Sequence, residues 1–190
     1  MPILLLAAAA MAGSPRKNEV DATEALGKPK ALVGEWNVES SRGGKGHSNF
    51  ELVAGNSVVL EHFAEPGGQE MLTAYHLDFN QLVLTHYCGA GNQPHMVAKK
   101  FDRGSSELAF AFAGGSNIAP GAGHMHAATY RLISDGRFDA SGTSSRRGRS
   151  NSAKRFTTRG LSRARANPTR FSGVSWAGRR TSIGTWLRFA

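Results

Sequence analysis

Between Ala31 and Gly142, short apolar runs follow one another at intervals of roughly 8 to 13 residues, each closed by turn-forming residues. The pattern predicts strands over 35–41, 48–54, 57–64, 71–78, 82–88, 96–102, 107–113, 125–134 and 137–142. The breaks RGGKG, AGN, EPGGQ, DFNQ, GAGNQP, DRGSS, GGSNIAPGAG and SDGR are rich in Gly, Asn, Asp and Pro. These residues supply the backbone angles that tight turns require. Regular short strands with no helical period between them predict an all-β antiparallel meander, closed as a barrel or folded as a sandwich.

Alternation assigns faces, because successive side chains of a strand point to opposite sides. Leu82, Leu84, His86 and Cys88 share one side of their strand, against Val83, Thr85 and Tyr87. Leu108, Phe110 and Phe112 share another. His124, His126, Ala128, Tyr130 and Leu132 share a third, against Met125, Ala127, Thr129, Arg131 and Ile133. That last division is ambiguous, since both sides carry apolar residues. Val59, Phe63, Leu82, Leu84, Phe110, Phe112, Tyr130 and Leu132 are the expected interior.

The flanks differ in kind. Ile3 to Ala12 is an apolar run too short to span a bilayer. It ends in Ala10-Met11-Ala12, an A-x-A pattern, so residues 1–13 resemble a signal peptide and predict export. No Lys or Arg precedes the run, which departs from that pattern. Residues 14–30 are polar and read as a linker with a helical turn near 22–26, leaving 31–143 as the barrel domain.

Charge separates the last quarter from the rest. The chain of 190 residues has a formal net charge of +9, but residues 1–141 hold 11 Lys/Arg against 14 Asp/Glu, a net of −3. Residues 142–190 hold 12 Lys/Arg and no acid. This tail, 144–190, shows no sustained alternation and reads as a basic segment of low order. Its composition fits an alternate reading frame. The functional alternative is an arm that binds nucleic acid or acidic surfaces by counterion release. Its aromatics, Phe156, Phe171, Trp176, Trp186 and Phe189, are sparse and unpatterned, which argues against a nucleic-acid platform.

ALVGEWNVES, Ala31 to Ser40, resembles the first strand of the calycin barrels, where a G-x-W element opens the barrel; here it is Gly34 and Trp36. MLTAYHLDFNQLVLTHYCGAGNQPHM and SNIAPGAGHMHAATYRL resemble a bacterial group of small, exported, lipocalin-like proteins. The resemblance covers Leu32 to Thr143. It implies a barrel of about 8 to 10 strands, which can enclose one small ligand or be filled by its own side chains. It also implies a Trp36 that plugs one end and a final strand that returns to it. Since the tail does not match, that strand is where the barrel could be left incomplete.

Candidate chemistry lies in the histidines and the single cysteine. His86 and Cys88 are a same-face pair, as are His124 and His126, because i and i+2 on a strand lie about 6 to 7 Å apart on one side. Together they could form a His₃ or His₂Cys site for zinc or copper. The blander reading has them hydrogen-bonding turn backbone at a barrel mouth. By resemblance to nitrobindin-like barrels a heme is a further alternative, with His124 or His126 as ligand. A Cys88 nucleophile activated by His86 lacks any cue for an orienting partner or oxyanion hole, so no catalytic residue is assigned. The resemblance to binding barrels favours a cavity for a small, largely apolar ligand, touched by Tyr75, His86, Phe110, Phe112, His126 and Tyr130, with His76, Asn92 and His124 as further polar groups. His95 is expected at the surface.

Overall fold

The computed structural model describes residues 20–40, 43–134, 136–145 and 156–164. The signal-like segment 1–13 and the tail beyond Ala164 lie outside the described residues. A helix α1 (Ala22–Ala31) precedes nine strands: β1 (Gly34–Ser40), β2 (Lys45–Val53), β3 (Val58–Ala64), β4 (Met71–Asp78), β5 (Gln81–Tyr87), β6 (Gln93–Asp102), β7 (Glu107–Ser116), β8 (His124–Ser134) and β9 (Arg137–Ser145). All nine predicted strands are present. Each pairs antiparallel with the next in sequence, so the sheet is a meander that curls on itself. A tenth strand, β10 (Phe156–Ala164), pairs with both β9 and β1 and closes the ring.

That closing strand completes a ring of ten strands, within the expected 8 to 10, and gives residues 156–164 of the tail a place in the sheet. Without it, β1 and β9 would each present a row of unpaired N–H and C=O groups. β10 satisfies both edges through backbone bonds, which depend little on side-chain pattern. Its register sets Arg163 opposite Trp36 and Gly160 opposite both Val38 and Phe138.

The turns follow from local chemistry. Between β2 and β3, Ala54, Gly55 and Asn56 all take positive φ, of 50°, 65° and 66°. Gly and Asn tolerate this region, and only the alanine is strained there.

The helical turn expected near 22–26 is the start of α1, which runs on to Ala31. Asp21 caps the helix by accepting from the Glu24 N–H at 3.0 Å, and Lys28 and Lys30 lie in its last turn, where the helix dipole favours cations. Ala22, Ala25, Leu26 and Pro29 are buried, so α1 packs its small apolar face on the barrel. The Arg103 guanidinium pairs with Glu24, and Lys28 reaches Ser106, which fixes the helix over the end that carries the β6–β7 turn.

At that end the barrel is solid. Trp36 is fully buried and donates its indole N–H to the Leu32 carbonyl at 2.6 Å. Its ring meets Phe138 edge-on at 4.9 Å, and Phe138 meets Phe50 edge-on at 5.8 Å. Val59, Leu82, Leu84, Leu108 and Phe110 complete the packing. Thus Trp36 plugs one end, and the interior space opens toward the other, the end of the β3–β4, β5–β6 and β7–β8 connections.

Candidate functional site

The open half of the barrel holds a cavity of about 340 Å³. Val38, Phe63, Met71, Met125, Phe138 and Ala140 give it apolar walls, while Ser48, Glu61, Thr73, His86 and Tyr130 bring polar atoms to it. Glu65, Cys88, His124 and Ser144 stand nearer the rim strands and loops and also line it.

The polar floor is a connected network. The Glu61 carboxyl, buried on β3, accepts from the Ser48 hydroxyl at 2.9 Å and from the Tyr75 hydroxyl at 2.8 Å. Tyr75 and Tyr130 hydroxyls lie 2.6 Å apart. Tyr75 has one proton to give, so with Glu61 ionised the chain of donation runs from Tyr130 to Tyr75 to Glu61. The rings of Tyr75, Tyr130 and Phe110 pack against one another, with centroids 5.7 to 6.2 Å apart. Burial raises the Glu61 carboxyl above the usual range, while the Tyr75 and Ser48 hydrogen bonds pull the other way. Burial and the nearby Glu61 carboxylate also push both tyrosine hydroxyls up, so they stay protonated.

His86 faces the same cavity from β5. Its Nδ1 lies 3.0 Å from the Thr73 hydroxyl on the paired strand. Burial lowers its pKa to about 4, so it is neutral at physiological pH. Cys88 sits one residue past β5, in the turn closed by Cys88 N–H to Asn92 carbonyl at 3.0 Å.

The predicted site residues divide into three groups. Tyr75, Phe110 and Tyr130 build the floor, and His86, Cys88 and His124 line the cavity above it. Phe112 and His126 are displaced from it. They line a second cavity of about 380 Å³ beneath the β7–β8 loop, with Ile118, Pro120 and His124. There Phe112 stacks on His126 at 5.3 Å and tilts against His124 at 4.5 Å. The cause is a register slip between Met125 and Ala127 against β9, which breaks the period-2 count and brings Met125 to the main cavity.

The remaining polar candidates lie elsewhere. His76 is half-buried and bonds to the Leu77 carbonyl. Asn92 is buried but ties the β5–β6 turn to the Gly123 carbonyl. His95 is exposed, as expected, with its ring on Thr85.

The four-residue metal set is only partly assembled. His124 Nε2 and His126 Nδ1 are 3.3 Å apart, close enough to share a proton and hydrogen-bond each other. Among the described residues no group of three or more His, Cys, Asp or Glu is placed to hold a metal ion.

Sequence reasoning missed Glu61, Ser48 and Thr73. The signal for Glu61 was present: it lies between Val59 and Phe63 on the same strand parity, a carboxyl on an otherwise apolar inward face. No family model matches the chain, and no curated protein matches it.

Proposed function

We propose that the barrel binds a small, largely apolar ligand with a polar end, held in the cavity between the Trp36 plug and the open loops. The observation that supports this best is the pairing of apolar walls with a satisfied polar floor at Glu61, Tyr75 and Tyr130. Ligand sites are concave and mainly apolar, with a few placed polar groups that orient the ligand. The floor is pre-organised, since its hydroxyls are already held by each other and by Glu61, so little ordering is needed on binding. A lipocalin-like relationship and export both agree with this role and are part of the proposal. The zinc or heme alternative draws less support, because His126 turns to the second cavity and His86 is engaged by Thr73.

The test is binding of N-phenyl-1-naphthylamine, a neutral apolar dye that fluoresces when removed from water. The expected result is saturable one-to-one binding that is lost in Ala140→Trp and Met125→Trp, both of which fill the cavity. Dye binding unchanged in both variants, with each still melting cooperatively, would sink the proposal.

A further inference from the structure

Resting on the reading above, we infer that the polar end of the ligand is a protonated amine, received by the Glu61 carboxylate on the cavity floor. Glu61 is 8% exposed and borders the cavity. Its two oxygens accept from Ser48 and Tyr75, and among the residues whose side chains are described, which excludes those of β10, no Lys or Arg pairs with it. A buried carboxylate supported only by neutral donors is expensive, and one facing a cavity is complementary to a cation.

The rest of the lining points the same way. None of the described lining residues is Lys or Arg, and the second carboxyl, Glu65, lies on the way in. His86, a histidine of the lining, is neutral because burial depresses it to about 4. The β10 register brings Thr158 and Gly160 opposite the lining residues Ala140 and Phe138. An ammonium has three donors and no acceptor. Around Glu61 it meets acceptor oxygens on Tyr130 and Thr73, and the aromatic residues Phe63, Phe138 and Tyr130 line the same cavity. An apolar carboxylate would meet no Lys or Arg in the lining described and would face Glu61 as a like charge. An apolar alcohol could hydrogen-bond but would leave the buried charge uncompensated.

The test compares n-octylamine, 1-octanol and octanoate by calorimetry on the full chain. A hydrogen bond to a charged group exceeds a neutral one enough to give the amine about a tenfold or greater advantage over the alcohol, with octanoate weakest. Glu61→Gln is expected to remove the advantage and leave alcohol binding within about threefold, a shift too small to involve a charged contact.

Equal binding of amine and alcohol, or a preference that survives Glu61→Gln, overturns the amine assignment while leaving the apolar-ligand reading standing. If the variant does not fold, the wild-type ranking of amine, alcohol and octanoate decides. Failure of all three compounds to bind overturns both.

Discussion

His86 should make the barrel acid-sensitive over a defined window, and Glu61 should not obscure it. Burial holds the folded His86 at about 4, against 6.5 in an unfolded chain. Between those values the unfolded chain binds the proton and the folded chain does not. The stability that His86 contributes is therefore complete above about pH 6.5 and drains away as pH falls toward 4. At about 1.36 kcal/mol per pKa unit, the ceiling is about 3 kcal/mol, of which about 2 kcal/mol is lost between pH 7 and pH 5. His86→Gln keeps a side chain that can bond the Thr73 hydroxyl but cannot titrate. The assay is urea unfolding followed by far-ultraviolet circular dichroism from pH 7.5 to pH 4.5, for wild type and variant. Glu61 contributes with opposite sign, since its raised carboxyl stabilises the fold at low pH, but it is common to both chains and cancels in the difference. The difference between wild type and variant should shift by about 2 kcal/mol against the wild type from pH 7 to pH 5. A difference constant to within about 0.5 kcal/mol, near the scatter of such extrapolations, would refute the reasoning.

Three further outcomes follow from the packing. Trp36→Ala should cost about 3 to 5 kcal/mol in chemical unfolding, because it empties a fully buried site and leaves the Leu32 carbonyl without its indole donor. Tyr75→Phe should destabilise by about 1 to 3 kcal/mol by stripping Glu61 and Tyr130 of a partner, and Tyr130→Phe added to it should cost about 1 kcal/mol less than it does alone, a coupling that a double-mutant cycle measures. A chain ending at Ser145 lacks β10 and exposes the edges of β1 and β9, so it should aggregate on size exclusion and melt without cooperativity, whereas one ending at residue 168 should behave as the whole chain does. Equal melting of the two truncations would show that β10 does not close the ring.

The sequence by itself determined the meander. Strands with one wet face announce themselves by alternation, and Gly, Asn and Asp between them state where the chain must reverse. Alternation also picked out Leu82, Leu84, Phe110, Tyr130 and His86 as inward or cavity residues, and it would have included Glu61 had the apolar filter been set aside. Three features were decided only by the tertiary structure. The full length of α1 is one: the sequence shows only a helical turn near 22–26, because the helix is polar, short and interrupted by Gly27 and Pro29, and the barrel end it covers is what buries Ala25 and Leu26. β10 has no strand signature, because its place is set by the unpaired backbone of β1 and β9. The separation of Phe112 and His126 from the main cavity depends on the register slip near His126, a one-residue event that shifts side chains across the sheet and leaves no mark in composition. Pattern specifies a strand through its own residues, but closure, plugs and bulges arise from what the neighbouring strands leave unpaired.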